Sequence, residues 1–153
     1  MSITTQLFNI RPTIFNTLIS YIQHLELSIK SNEWDIFDKN CKRIELKDIN
    51  LNSIINLGLG RKHNINPHET TIHYIKYNLD EDYILKEHHD SCKQTIIIYL
   101  NKDNTIYDEF YVDKKFIENS NWLYNGFIMG GRLKHSGIFR GTGKRNILCI
   151  FIN

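Results

Sequence analysis

The chain has no alanine and a single valine, Val112, among its 153 residues. Isoleucine, asparagine and lysine are abundant instead, and residues with GC-rich codons are scarce. Such a composition fits an AT-rich genome, for example that of a large DNA virus, a protist or an endosymbiont. Three cysteines, Cys41, Cys92 and Cys149, are too few, too far apart and odd in number for a disulfide framework. No CxxC occurs, so free thiols in a reducing compartment fit better than a cysteine-based zinc cluster. No run approaches 18 apolar residues, which excludes a helical membrane span. The opening "MSITTQLFNIRPTIF" lacks the basic head, apolar run and small-residue cleavage site of a secretory signal. The cytoplasm is therefore the expected location (the host cytoplasm for a viral protein). A strong excess of positive or negative residues is missing as well. With 19 basic and 17 acidic residues interspersed, the net charge is +2. There is no basic face or run of the kind that nucleic acid requires.

What is present divides into two parts. "RPTIFNTLISYIQHLELSIKS" carries Ile14, Phe15, Leu18, Ile22, Leu25 and Ile29 near the 3.6-residue period, with Pro12 in a first turn and Ser31-Asn32 as a stop. "LNSIINLGLG" reads as a second short helix ending at Gly58 or Gly60, and the stretch between the two is mixed. From residue 69 onward the chain breaks into short runs rich in Ile, Tyr and Phe. These are "TTIHYIKYN", "YILKEHH", "TIIIYLN", "TIYDEFYV", "GFIMGG", "LKHSGIF" and "NILCIFIN", separated by Asn, Asp and Gly. That spacing predicts an all-β sandwich or barrel rather than βαβ units. Two of the runs are apolar on both faces, so both faces should be covered, one of them by the N-terminal helix. The expected organisation is one domain over 1–153, with 1–68 as helical support and 69–153 as the β core.

Within the β part, "KEHHDSCKQTIIIYLN" places two histidines and an aspartate directly before the most strand-like run. In an extended chain residues i and i+2 point the same way. His88 and Asp90 thus form an H-x-D pair and His89 faces outward. One imidazole and one carboxylate are two-thirds of the 2-His-1-carboxylate triad that holds non-haem Fe(II). His135 in "LKHSGIF" is the candidate third ligand. Ten residues later, Arg145 leads an inward row with Ile147, Cys149 and Phe151. A lone cation there is costly unless an anion waits for it, and a dicarboxylate co-substrate would supply one.

H-x-D, then "TIIIYLN", then a distal His followed by Arg at this spacing resembles the 2-oxoglutarate and Fe(II)-dependent dioxygenases, in particular the prolyl- and lysyl-hydroxylase-like branch. The resemblance covers about residues 70 to 153. It implies a mainly β fold, a double-stranded β-helix or jelly roll with the N-terminal helices on one sheet. It implies His88, Asp90 and His135 as iron ligands and Arg145 as the partner of the far carboxylate of 2-oxoglutarate. Tyr99 and Tyr77 would lie beside that co-substrate, with Ile97 as an apolar wall. The implied reaction is hydroxylation of a C–H bond, on a peptidyl proline or lysine, with decarboxylation of 2-oxoglutarate to succinate. Ascorbate is a further cofactor the resemblance allows. Two other readings stay open: a non-catalytic binding or scaffold protein of the same fold, and a small-molecule oxygenase. A protein or peptide is the expected partner, with neither membrane nor nucleic acid involved.

Several residues compete for roles. Arg140 could take the carboxylate in place of Arg145, although its turn position suits exposure or a substrate contact better. His73 is expected as a satisfied core or pocket-wall histidine, and Cys92 as a small buried thiol. The acidic stretch Asp80 to Asp82 reads as a solvated loop, and Trp122 and Tyr124 as a plug or a mouth. His24, His63 and His68 are expected at the surface.

Overall fold

The computed structural model of the chain describes residues 5–60 and 65–153. A short strand β1 (Thr5–Phe8) precedes helix α1 (Pro12–Glu26), the hairpin β2 (Asp35–Asp38) and β3 (Cys41–Glu45), and helix α2 (Ile49–Leu59). Eight further strands follow. β4 (Thr70–Leu79), β5 (Tyr83–His88), β6 (Gln94–Lys102) and β7 (Tyr107–Val112) come first. β8 (Lys115–Ile117), β9 (Gly126–Gly130), β10 (His135–Arg140) and β11 (Gly143–Ile152) complete the set. All seven runs read as strands from the sequence are strands here. The first 68 residues supply three strands as well as the expected helices.

The strands form two antiparallel sheets, one of seven strands in the order β1-β9-β6-β11-β4-β3-β2 and one of four in the order β5-β10-β7-β8. Successive strands from β4 to β11 alternate between the sheets except at the β7–β8 hairpin. This alternation is the winding of a double-stranded β-helix, a jelly roll. The hairpin turns at Asp113 and Lys114, both with positive φ (51° and 62°), as a type I′ turn requires.

Strands β4, β6 and β11 are buried on both faces because each face meets a different partner. Ile72, Tyr74, Ile96, Ile98, Leu148 and Ile150 face the helices, where Leu18, Ile22, Leu51 and Ile55 cover them. Complete burial of those four helix side chains contributes roughly 6–12 kcal/mol of transfer free energy. That is comparable with the whole stability of an ordinary domain, so the helices are structural partners of the sheet. Asp48 ties them to each other: it caps α2 through Leu51 N–H (3.0 Å) and accepts from the Tyr21 hydroxyl (2.8 Å). The opposite parity set of the same strands, with Ile75, Tyr77, Ile97, Tyr99 and Ile147, faces the smaller sheet and forms a second core.

Helix α1 ends at Glu26, about a turn before the expected stop. There the ladder tightens into i→i−3 bonds, with Leu27, Ser28 and Ile29 donating to His24, Leu25 and Glu26. Helix α2 ends at Gly60, whose φ of 79° suits glycine. His24 and His68 are exposed as expected. His63 lies outside the described residues. Among the described residues no helix is long and apolar enough to cross a membrane.

Candidate metal centre and its cavity

His88 is the last residue of β5 and His135 the first of β10, and the two are Cα partners in the smaller sheet. The pairing contains a bulge: Leu85 faces Gly137 and His88 faces His135, so β5 has one residue more than β10. Strict alternation from Tyr83 and Leu85 would send Glu87 inward and His88 outward. The extra residue resets the parity, and Tyr83, Leu85 and His88 all line the same cavity.

Asp90 lies beyond the strand, in the loop to β6. The loop is clipped to the start of the 131–134 turn, with Asp90 N–H donating to Gly131 O (2.7 Å) and Gly131 N–H to Lys93 O (3.0 Å). A β-carbon at residue 131 would collide with the Cys92 carbonyl, so only glycine permits this approach. The buried Thr95 hydroxyl donates to Asp90 Oδ2 at 2.7 Å and fixes the carboxylate. Cys92 is buried with its Sγ on Gln94 O and Thr95 Oγ1, a structural thiol as expected.

The ligating atoms of His88, Asp90 and His135 all lie within 4.8 Å of one another. Each imidazole is oriented by a backbone carbonyl: His88 Nδ1 meets Lys86 O at 2.7 Å and His135 Nδ1 meets Leu133 O at 2.9 Å. A carbonyl only accepts, so Nδ1 carries the proton in both rings and Nε2 is left as the bare ligand nitrogen. His135 Nε2 lies 3.6 Å from Asp90 Oδ2. Burial lowers the pKa of His135 below that of an ordinary imidazole, which favours the neutral, ligating form. Two imidazoles that present Nε2 and one carboxylate suit a first-row divalent metal with open positions. His89 is exposed and outside the cavity.

The cavity leading from these residues has a volume of about 480 Å³. Ile97, Tyr99, Tyr77 and Arg145 all line it. Arg145 is 2% exposed, and its guanidinium sits over the ring of Phe139 (3.7 Å) and beside that of Tyr77 (5.0 Å). Burial keeps the phenols of Tyr77 and Tyr99 protonated, with pKa values well above the usual range. Burial alone would lower the pKa of Arg145, but a carboxylate more than reverses this and the guanidinium stays charged.

That carboxylate belongs to Asp108, which the sequence reading did not single out. Arg145 Nε donates to Asp108 Oδ1 (2.9 Å) and Nη2 to Oδ2 (2.6 Å), a forked pair with both side chains 2% exposed. Trp122 Nε1 donates to the same Oδ2 at 2.8 Å, and its indole stacks on Tyr99 at 4.5 Å. Trp122 is thus the plug of this end, held at a positive φ of 57°. The anion expected opposite Arg145 is therefore present within the chain. Arg145 Nη1 remains buried and without a partner.

The other candidates sort cleanly. Arg140 is turned away and paired with Glu109 (2.7 Å) and Asp82 (3.4 Å). Asp80 accepts from Lys39 and Asn40. His73 packs edge-on against Phe151, half-buried, with its Nδ1 buried and without a partner, and contrary to expectation it does not line the cavity. The hairpin β2–β3, unassigned by sequence, brings Phe37 and Arg43 to the cavity mouth, where Lys86 joins them. The Arg43 guanidinium lies 4.4 Å over the Phe37 ring.

No protein-family model and no curated protein sequence matches the chain. Solved structures do. A Pseudomonas putida prolyl-4-hydroxylase superposes with a TM-score of 0.56 over 97% of this chain and 91% of its own, at 10% identity. AtDAO1, the dioxygenase for auxin oxidation 1 from Arabidopsis thaliana, in complex with 2-oxoglutarate, gives 0.59 over 92% and 78%, at 9% identity. An oxidoreductase of the 2OG-Fe(II) oxygenase family from Burkholderia pseudomallei gives 0.55 over 87% and 76%, also at 9% identity. The fold is that of the 2-oxoglutarate/Fe(II) oxygenases. On that fold His88, Asp90 and His135 surround one end of the cavity between the sheets, and Arg145 lies deep in the same cavity.

Proposed function

We propose that the chain is an Fe(II)- and 2-oxoglutarate-dependent dioxygenase that hydroxylates a C–H bond, with a peptidyl proline as the preferred target. The observation that carries this reading is the convergence of two oriented imidazoles and one carboxylate on a cavity that also contains a buried arginine. His88, Asp90 and His135 would hold the metal. Arg145 Nη1 would hold the far carboxylate of 2-oxoglutarate, with Tyr99 and Tyr77 beside it. When bound, the metal and 2-oxoglutarate would let dioxygen serve as the oxidant, one oxygen atom entering the C–H bond and the other entering succinate as 2-oxoglutarate loses carbon dioxide. Ile97, Ile147, Met129 and Phe110 keep the cavity wall apolar and exclude water. The protein's contribution is geometry and dryness.

Lysine is the other residue this branch of oxygenases would offer as a target. Arg43 and Lys86 at the mouth disfavour a cationic side chain by like-charge repulsion, so proline is the better fit, especially with acidic neighbours. The same two cations above an apolar wall favour, as a second reading, a small anionic substrate with an apolar body. One experiment separates them: succinate formation from 2-oxoglutarate with Fe(II), alone and with proline peptides, lysine peptides or small aromatic carboxylates. Proline peptides that stimulate turnover and gain one oxygen support the proposal. Stimulation only by small carboxylates supports the second reading. Metal binding without turnover under any condition would leave a non-catalytic member of the fold.

A further inference from the structure

Behind the cavity wall a buried carboxylate, Asp108, already holds donors of Arg145 that a ligand would use. A carboxylate ligand of Arg145 would normally take two parallel N–H donors of the guanidinium fork. Here Nε and Nη2, one such pair, already serve Asp108 at 2.9 and 2.6 Å. Asp108 cannot easily swing away. It is 2% exposed, and its Oδ2 is held by the Trp122 indole, itself stacked on Tyr99. What is left for a ligand is the Nη1 edge, with the second N–H of Nη2 beside it, of an arginine whose charge is cancelled at hydrogen-bond distance. The flanking groups, Tyr77 and Tyr99, are neutral phenols.

We infer that Asp108 is a specificity-determining positioning residue: it makes the deep end of the cavity formally neutral, so that 2-oxo monocarboxylates bind there nearly as well as 2-oxoglutarate. This rests on the 2-oxoglutarate reading given above and widens its co-substrate class to 2-oxo monocarboxylates. A dianion entering this site brings a second charge out of water and meets no net charge in return. A 2-oxo acid with an uncharged tail avoids that desolvation and still fills the apolar walls. The Trp122–Asp108 bond makes the neutral state permanent, independent of the ligand.

The test uses the whole chain loaded with Mn(II), and calorimetric affinities for 2-oxoglutarate and for 2-oxopentanoate, which has the same length without the far carboxylate. In the unaltered protein the two should agree within about tenfold, since a guanidinium already paired with a buried carboxylate discriminates weakly. Asp108→Asn should widen the ratio in favour of 2-oxoglutarate by at least about tenfold, with the 2-oxopentanoate affinity unchanged. A merely structural role would weaken both ligands together. A preference of about a hundredfold for 2-oxoglutarate in the unaltered protein overturns the inference, and needs no variant that folds. An unchanged ratio in a folded Asp108→Asn protein overturns it as well. If neither acid binds while Mn(II) does, the 2-oxo-acid reading itself falls, and the inference with it.

Discussion

Removing either member of the Arg145–Asp108 pair should cost far more than removing both. The two side chains are each 2% exposed and joined by two hydrogen bonds, so deleting one strands a charge in the core. Breaking such a pair costs about 3–5 kcal/mol. Arg145→Met leaves Asp108 with only the Trp122 donor; Asp108→Leu leaves the guanidinium under Phe139 and Tyr77 without a counter-charge. The double variant replaces the pair by apolar groups, which is often neutral. It still strands the Trp122 indole N–H, a residual loss of about 1–3 kcal/mol. The coupling energy from the cycle should therefore be at least about 3 kcal/mol. Urea unfolding followed by far-ultraviolet circular dichroism measures all four proteins, and a typical stability of about 5–15 kcal/mol leaves room for the single losses. Additive single effects, or single losses below about 1 kcal/mol, would show that the pair is solvated and would refute the account of the cavity floor.

The metal centre supplies the next test: His88→Ala, Asp90→Ala and His135→Ala should each lose Mn(II) binding by calorimetry, while His89→Ala should keep it. Thr95→Val removes the hydroxyl donor to Asp90 and should weaken metal affinity by about 10–100-fold, with Thr95→Ser close to normal; equal affinity in Thr95→Val would deny Thr95 that role. Arg140→Ala removes exposed ion pairs with Glu109 and Asp82 and should leave affinity for 2-oxo acids unchanged. Burial pushes the thiol of Cys41 up to about 11 and that of Cys149 up to about 12. Both should resist iodoacetamide at pH 8 in the folded protein. Because the folded pKa values are raised, the stability linked to these thiols is complete below about pH 8.5, the unfolded value. It should decline as pH rises through about 11, which urea midpoints at pH 8 and pH 10 would detect.

The sequence by itself determined the parity of the β core. Alternation within "TTIHYIKYN", "TIIIYLN" and "NILCIFIN" already states which side chains share a face, because the side-chain period of a strand is local geometry. His73, Ile75 and Tyr77, Ile97 and Tyr99, and the row from Arg145 to Phe151 all fall on one side as alternation requires. Strands β1, β2, β3 and β8 were not legible. They have three to five residues each, and β2 is exposed throughout, so no periodic burial marks it. The bulge in β5 was equally hidden, since it is defined only by what β10 places opposite.

Asp108 is the instructive case. It heads an inward row with Phe110 and Val112, just as Arg145 heads its own, and that lone acid was a readable signal. Its meaning was not readable. A strand's sequence says which way a side chain points, but not what it meets about 10 Å away on the facing sheet. Tertiary structure alone brought the two rows head to head, set Trp122 against them and settled that the arginine's anion lies within the chain. The same crossing of sheets brought His135 to His88, forty-seven residues apart in the chain and partners in the fold.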